Sequence, residues 1–293
     1  MNEHQKLSGG AQLRALLASE DIVAAPGIYD HMSLLLGQAA GHKALYASGY
    51  WGTASAYGEA DVGIAGMSDF VSTFGRFAAR AEVPIIADAD TGFGSLTNLR
   101  RAVQLYCQAG IAAMQIEDQP FPKICGHVGR ATSVPAQEMV KRIRVAVETR
   151  GDDDLMVIAR TDARRTEGLD AAIDRLRAYS EAGADILFLE APENEEEIAT
   201  AAAAFDKPLL INAAHGGFTP ILSPSGYAKL GAKLVIYPAG PSLSALQGAA
   251  NFYNSLANDD ANPAHDNMFD FGEISRLLGM EEIVAFQDLH GGA

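Results

Sequence analysis

Residues 84–94 read PIIADADTGFG, a short apolar run that ends in two carboxylates and a glycine-rich turn. Seven other stretches repeat this form: an apolar, partly β-branched run, then polar or glycine residues, then apolar residues at helical spacing. The runs are nearly all apolar rather than alternating, as expected of parallel strands buried on both faces. They begin near Ile22, Lys43, Pro84, Ala112, Leu155, Asp185, Pro208 and Lys233.

The segments between these runs have the pattern of helices. Three of them, residues 98–109, 137–149 and 169–182, end at or near a glycine, which is typical of a helix C-terminus. A strand followed by a helix, eight times in about 240 residues, predicts an α/β fold, a (β/α)8 barrel of the TIM type. A doubly wound open sheet is the alternative, and it is disfavoured because no GxGxxG follows the first run.

We expect a single barrel domain over residues 1–293. The barrel takes about residues 20–240, and extra C-terminal helices take about residues 241–293. Those helices are not needed to close a barrel. They can pack on a neighbouring subunit or be exchanged with it.

Composition and charge exclude several classes of protein. The chain has 48% hydrophobic and 20% charged residues, no low-complexity tract, and no apolar run of membrane-spanning length. The polar residues 1–16 lack the apolar core of a secretory signal, and two cysteines cannot form a disulfide framework. With 22 basic and 37 acidic residues the net charge is −15, which disfavours nucleic acid and anionic membranes. We expect a cytoplasmic protein, and a bound cation if the substrate is an anion.

Acidic residues stand where the predicted strands end. Asp88 and Asp90 close the third run two positions apart, so on a regular strand both side chains point the same way. Glu117 closes the fourth run. Carboxylates at such positions are costly to bury unless paired or metal-bound, and three oxygen ligands favour Mg²⁺ or Mn²⁺ over zinc. The alternative is that they cap helices or form buried ion pairs with Arg160 and Lys123.

A loop rich in proline and glycine follows the fourth run and carries a cysteine. Lys123 and His127 flank Cys125, each two positions away. A neighbouring cation lowers the pKa of a thiol, and such a thiol can transfer a proton or act as a nucleophile. The alternative is a small apolar loop residue. Cys107 lies within a predicted helix, and we interpret it as a packing residue.

Four more residues are expected near the mouth of the barrel. Arg160 ends the fifth run, where a guanidinium suits a carboxylate or phosphate, the alternative being a structural ion pair. His215 follows the seventh run, and we interpret it as a loop residue rather than a base. Tyr50 and Trp51 are placed in a glycine-rich loop after the second run, where they form a pocket wall or cover the barrel mouth.

The order of these motifs resembles the isocitrate lyase and phosphoenolpyruvate mutase superfamily. The resemblance covers about residues 26–238, and the combination is far more specific than any one piece. The chain is too short for a typical isocitrate lyase and resembles the branch of methylisocitrate lyase and 2,3-dimethylmalate lyase. The stretches that carry it are DADTGFG (88–94), QIEDQPFPKICGH (115–127), ARTDA (159–163), EGLDAAI (167–173), EAGAD (181–185) and GGFTP (216–220).

The resemblance implies a barrel enzyme with Mg²⁺ at Asp88, and with Asp90 and Glu117 reached partly through water. It implies that Arg160 binds a 2-oxo acid portion and that Cys125 is a general acid. It further implies roles near the metal or the substrate for Asp61, Ser48, Gly49, Glu190 and Asn212. We add Lys123 and His127 as candidates for catalysis, and Tyr46 and Tyr50 as candidates for substrate binding.

The activity that this resemblance implies is carbon–carbon cleavage of a 2-hydroxy di- or tricarboxylate to a 2-oxo acid and a second carboxylate. Asp61 and Glu190 are candidates for the base. The alternatives are oxaloacetate hydrolysis or decarboxylation, phosphonopyruvate-type chemistry, and a barrel that only binds a dicarboxylate. Tyr50, Trp51, Ala60 and His215 depart from the lyase pattern, which leaves the substrate open. The resemblance also implies a homotetramer.

Overall fold

The computed structural model describes residues 7–124, 132–257 and 268–291. Eight parallel strands pair in chain order and close into a barrel, as the run pattern predicts. Each strand begins within two residues of its predicted start. The strands are β1 (Val23–Ile28), β2 (Leu45–Ala47), β3 (Ile85–Asp88), β4 (Ala113–Glu117), β5 (Met156–Thr161), β6 (Ile186–Leu189), β7 (Leu209–Asn212) and β8 (Leu234–Tyr237).

Helices lie between the strands and continue beyond the last one, which confirms the predicted fold class with its extra C-terminal helices. In the described ranges they are α1 (Gly9–Ser19), α2 (His31–Ala39), α3 (Gly49–Tyr57), α4 (Met67–Arg80), α5 (Leu96–Gln108), α6 (Ala136–Arg150), α7 (Arg164–Glu167), α8 (Leu169–Glu181), α9 (Glu195–Ala203), α10 (Pro224–Lys229), α11 (Gly240–Leu256), α12 (Phe271–Leu277) and α13 (Met280–His290).

The barrel closes where β1 pairs with β8, in register from Val23 opposite Leu234 to Pro26 opposite Tyr237. Gly27 follows this ladder, and a Cβ atom built on it would lie 2.3 Å from the carbonyl oxygen of Pro238. Because that neighbour is backbone, it cannot move aside as a flexible side chain can. A glycine is therefore required at the closing seam.

Alternate residues of each strand point into the barrel, where they form an interior core separate from the core beneath the helices. The interior core contains Ile86, Ile158 and Phe188, and α1 seals its lower end with Leu13 and Leu17. Inward positions recur every second residue along a strand. At the upper end of the barrel these positions are polar: Asp88, Glu117, Arg160, Glu190 and Asn212.

The C-terminal helices carry many exposed apolar side chains. Ile283, Phe286 and Leu289 on α13 are 52, 64 and 80% exposed, and no residue of α13 is buried. Within the described ranges, no helix combines the length and the apolar character that crossing a bilayer requires.

Candidate active site

A cavity of about 290 Å³ opens at the upper end of the barrel, where the strands end. Its inner wall includes Asp61, Asp88, Lys123 and Arg160. The other lining residues, here called the outer wall, are largely apolar or aromatic and include Tyr50, Trp51, Pro238 and Leu243, with His215 among them. The cavity thus combines charged side chains with apolar surface.

The loop predicted around Tyr50 and Trp51 is a helix, so that prediction is wrong. Ser48 caps the N-terminus of α3 by accepting a hydrogen bond from the backbone N–H of Trp51 at 3.4 Å. The two aromatic rings contact each other edge to face, with centroids 4.9 Å apart. Both rings line the cavity from the first turn of α3. A capped helix holds them more firmly than a glycine-rich loop would.

Asp88 is the last residue of β3 and is 6% exposed. Its Oδ1 accepts hydrogen bonds from the backbone N–H of Asp90 at 3.1 Å and from Gln115 Nε2 at 3.2 Å. Its Oδ2 lies against Gly49, because a Cβ atom built on that glycine would be 2.6 Å away. Burial raises the pKa of Asp88.

The two-residue spacing predicted that Asp88 and Asp90 lie on one strand with their side chains on the same side. That prediction is wrong for Asp90. The strand ends at Asp88, and Asp90 has a left-handed backbone conformation with φ of 48°. Its side chain is directed to Lys123, whose Nζ lies 3.1 Å from Asp90 Oδ1 and 2.5 Å from Asp61 Oδ2. The ion pair considered from the sequence is therefore present, although with Lys123 rather than Arg160. Burial opposes the charge on Lys123, but the surrounding carboxylates outweigh it and raise its pKa well above its usual value.

Arg160 is also paired with buried carboxylates. Its Nε and Nη2 donate to the two oxygens of Asp162 at 2.9 and 2.7 Å. Glu190 Oε2 is 3.2 Å from Nη2, and Glu117 Oε2 is 3.4 Å from Nε. The third nitrogen, Nη1, donates no hydrogen bond to any described residue, and Arg160 lines the cavity. The guanidinium is thus oriented by protein carboxylates while one donor group is left for an anion.

Carboxylates outnumber cations at this end of the barrel. Among the described residues around Lys123 and Arg160, six carboxylates are buried with these two cations: Asp61, Asp88, Asp90, Glu117, Asp162 and Glu190. Asp118 and Arg142 are buried as well, but they bond to side chains of α8 and α6 outside the barrel interior. Burial raises the pKa of Asp90 to about 7 and that of Glu117 well above its usual value. Burial of so many acids is costly unless protons or a cation offset their charge.

This donor set fits a hard divalent cation. Glu117 Oε1 is buried and accepts no hydrogen bond from any described residue, so it has an acceptor site to offer. The oxygen-only donors are those that Mg²⁺ and Mn²⁺ prefer. However, no three His, Cys, Asp or Glu side chains within the described ranges are gathered closely enough to hold a metal directly. Binding through one or two carboxylates and water, as Mg²⁺ commonly shows, is compatible with this arrangement.

Cys125 and His127 lie outside the described residues. The described residues on either side of them are anchored to consecutive residues at the end of β4. The backbone N–H of Ile124 donates to Gln119 Oε1 at 3.1 Å, and that of Val134 donates to the carbonyl of Asp118 at 2.7 Å. Cys107 is half-buried on α5, and burial together with Asp153 raises its pKa to about 12, in agreement with a packing role.

The remaining predicted site residues lie around the same cavity. Asn212 Nδ2 donates to Glu190 Oε2 at 3.2 Å, and His215 is an exposed loop residue at the rim. Tyr46 lies deeper and donates its hydroxyl to Gln115 Oε1 at 3.0 Å. Gln115 was not predicted as a site residue. Its signal in the sequence is a polar residue two positions before Glu117 in an otherwise apolar strand.

Comparison with protein families gives one matching model, described as phosphoenolpyruvate phosphomutase, over residues 13–257. Among curated proteins, 2,3-dimethylmalate lyase of Eubacterium barkeri is 41% identical over 94% of this chain and 96% of its own. The 2-methylisocitrate lyase of Shewanella oneidensis is 34% identical over 96% of both chains.

Solved structures with the same fold include two relevant complexes. Oxaloacetate acetylhydrolase bound to the inhibitor 3,3-difluorooxalacetate superposes with a TM-score of 0.92 at 31% identity, over 98% of both chains. Phosphonopyruvate hydrolase bound to oxalate and Mg²⁺ superposes with a TM-score of 0.86 at 27% identity, over 96% of this chain and 99% of that one.

Proposed function

The chain belongs to the phosphoenolpyruvate mutase and isocitrate lyase superfamily and is a carbon–carbon lyase, and we propose that it cleaves a 2-hydroxy dicarboxylate of the 2,3-dimethylmalate type with the help of a divalent metal ion. The products are a 2-oxo acid such as pyruvate and a second carboxylate. The observation that carries this proposal is the excess of buried carboxylates at the upper end of the barrel, beside a cavity and an arginine with an open donor.

Three carboxylates are the proposed metal-binding residues. Asp88 would bind the ion directly, because its Oδ1 already accepts two hydrogen bonds and its Oδ2 accepts none from the described residues. Asp90 and Glu117 would hold the ion's water ligands. A bound Mg²⁺ or Mn²⁺ supplies Lewis acidity, which lowers the pKa of a substrate hydroxyl and stabilises negative charge on oxygen.

The substrate carboxylates are assigned to two groups of donors. Arg160 Nη1 would bind the 2-oxo acid portion, held in place by the bidentate contact of the same guanidinium with Asp162. The N-terminal turn of α3, at Ser48 and Gly49, would bind a carboxylate through backbone N–H groups and the favourable end of the helix dipole. Asn212, fixed by Glu190, completes the polar end.

Acidic and thiol side chains of the chain carry the proton transfers of this reaction. Asp61 or Glu190 removes the proton of the 2-hydroxyl, the C2–C3 bond breaks, and C2 becomes the carbonyl carbon of the 2-oxo acid. The electron pair of the broken bond passes to the C3 fragment as an enediolate. Cys125 then donates its thiol proton to C3, and His127 helps to stabilise the developing charge.

The apolar outer wall supports a substrate with alkyl substituents rather than a third carboxylate. Among the described cavity-lining residues the only Lys and Arg side chains are Lys123 and Arg160, and both are paired with acids. A third carboxylate placed against Trp51 and Leu243 would lose its hydration without gaining a charged partner. Methyl groups at the same place would gain apolar contact.

Oxaloacetate hydrolysis is the second candidate, favoured by the close superposition on oxaloacetate acetylhydrolase. Proton NMR of the protein mixed with 2,3-dimethylmalate, 2-methylisocitrate and oxaloacetate, first with Mg²⁺ and then with excess EDTA, tests both. We expect metal-dependent formation of pyruvate and propionate from 2,3-dimethylmalate. Loss of oxaloacetate alone would assign the protein to the hydrolase or decarboxylase group. If a dicarboxylate bound but none of the three compounds were converted, the protein would be a binding protein rather than an enzyme.

We also propose a homotetramer in which α11–α13 pack on neighbouring subunits. The exposed apolar residues of these helices, such as Phe271, Phe286 and Leu289, support it. Light scattering after size-exclusion chromatography tests the mass, and a monomer would contradict the proposal. The acidic net charge and the low cysteine content support a cytoplasmic location, which cell fractionation would test.

A further inference from the structure

A chain of hydrogen bonds crosses the interior of the barrel beneath the acidic cluster. Tyr46 on β2 donates its hydroxyl to Gln115 Oε1 on β4 at 3.0 Å. Gln115 Nε2 in turn donates to Asp88 Oδ1 on β3 at 3.2 Å. All three residues are buried, with 4, 0 and 6% exposure. Gln115 has no role in metal binding, substrate binding or proton transfer in the site described above.

The chemistry of the three groups fixes the direction of this chain. An ionised carboxylate only accepts hydrogen bonds, so the amide of Gln115 must present its NH₂ group to Asp88. Its carbonyl oxygen then faces Tyr46, which must donate. Burial and the nearby Asp88 raise the pKa of Tyr46 well above its usual value, so the phenol keeps its proton. Only one orientation of the Gln115 amide satisfies both neighbours.

Hydrogen bonds hold both the backbone and one carboxylate oxygen of Asp88. The backbone carbonyl oxygen of Asp88 accepts a hydrogen bond from Tyr106 Oη at 2.6 Å, which fixes the backbone at the end of β3. Its Oδ1 accepts from Gln115 and from the backbone of Asp90. Its Oδ2 is therefore the oxygen that remains for a metal ion. If the amide of Gln115 were absent, the carboxylate would lose one of the two donors that determine its rotation.

We propose that Gln115, held by Tyr46, is a positioning residue that turns Asp88 so that Oδ2 faces the metal ion. The inference rests on the proposed metal-dependent function, and it concerns a residue that touches neither the substrate nor the metal. Hydrogen-bond partners of metal ligands commonly change metal affinity 10- to 100-fold when they are removed.

The test compares Mn²⁺ affinity, measured by calorimetry and by the electron paramagnetic resonance of free Mn²⁺, in four variants without substrate. Gln115→Met keeps the side-chain length but removes both hydrogen bonds, and we expect roughly 10- to 100-fold weaker binding. Tyr46→Phe leaves the amide in place but unsupported, and a smaller loss is expected. The matched control is Tyr179→Phe. It removes another buried hydroxyl, which donates to Asp118 at 2.8 Å outside the barrel interior, and it should leave Mn²⁺ affinity unchanged.

The double variant Tyr46→Phe/Gln115→Met separates positioning from stability. Gln115→Met alone leaves the Tyr46 hydroxyl buried without its acceptor, whereas the double variant removes both polar groups, which restores much of the lost stability. We expect it to unfold at a higher temperature than Gln115→Met but to bind Mn²⁺ no better.

Three outcomes would overturn the proposal. Folded Gln115→Met that binds Mn²⁺ within twofold of the wild type would show that the amide does not position Asp88. Recovery of affinity together with stability in the double variant would show a purely structural role. A wild type that binds no Mn²⁺ would refute the metal-dependent function and this inference together. In the first two outcomes the wild type still binds Mn²⁺, so they would refute this inference alone.

Discussion

Replacement of Gly49 by alanine tests whether the acidic cluster depends on the close approach of α3 to β3. A Cβ atom at position 49 would lie 2.6 Å from Asp88 Oδ2 and 3.0 Å from Phe70 Cζ. Ordinary contacts of a Cβ atom begin at about 3.4 Å, so the carboxylate must move by several tenths of an ångström. Such overpacking costs about 1–3 kcal/mol, while alanine gains up to about 1 kcal/mol over glycine within a helix.

The expected net loss is therefore about 1–2 kcal/mol, which lowers Tm by about 2–8 °C for a domain of this size. Since the displaced atom is the proposed metal ligand, we also expect Mn²⁺ affinity to fall by more than tenfold. Gly52→Ala on the same helix is the matched control. Its Cβ would be 3.6 Å from Phe74 Cε1, an ordinary contact, so Tm should stay unchanged or rise. Calorimetric unfolding with and without Mn²⁺ measures both quantities. A Gly49→Ala protein with wild-type Tm and wild-type Mn²⁺ affinity would refute the reasoning.

Three further predictions concern pH, substrate size and the thiol. Burial raises the pKa of Asp90 to about 7, so in the folded, metal-free protein its protonated form is favoured only below about pH 7. The corresponding stability is present below about pH 4 and is lost as the pH rises to about 7. Urea unfolding from pH 4 to 8 with EDTA checks the sign, and rising stability over that range would contradict it. Trp51→Ala should increase kcat/KM for 2-methylisocitrate relative to 2,3-dimethylmalate about tenfold or more, since it removes apolar bulk from the outer wall. An unchanged ratio of the two kcat/KM values would show that Trp51 does not determine substrate specificity. Cys125→Ser should lower lyase kcat by about 10²–10⁴-fold if the thiol is the general acid, while any oxaloacetate decarboxylation changes less; equal losses in both reactions would argue against that role.

The sequence predicted the strands well because parallel strands buried on both faces leave an unmistakable apolar run. It also placed charged residues of the cavity, since a residue such as Asp88 or Arg160 at the end of such a run has few alternatives to a functional position. The strand-end residues need only local composition and the rule that the strand ends of a barrel meet at one face, whereas Ser48 and Gly49 were predicted from the family resemblance.

Other features depended on contacts that spacing does not encode. The residues around Tyr50 contain two glycines and resemble a loop, but the Ser48 cap and packing against α4 stabilise a helix. Asp90 leaves the strand because the chain turns with a positive φ directly after Asp88. Gln115 is recognisable only once the inward positions of β4 are known, because its partner Tyr46 is distant along the chain.

The ladder between β1 and β8 also bears on how the chain is synthesised. The first strand leaves the ribosome long before the eighth, so one of its edges stays without a permanent neighbour while most of the chain is made. An open edge of apolar strand is a template for unwanted pairing. The cavity draws side chains from strands along the entire barrel, so a nascent chain that lacks β8 has no enclosed site. We expect the closing of this seam to be a late and slow event in folding, and aggregation during synthesis to be most pronounced just before it.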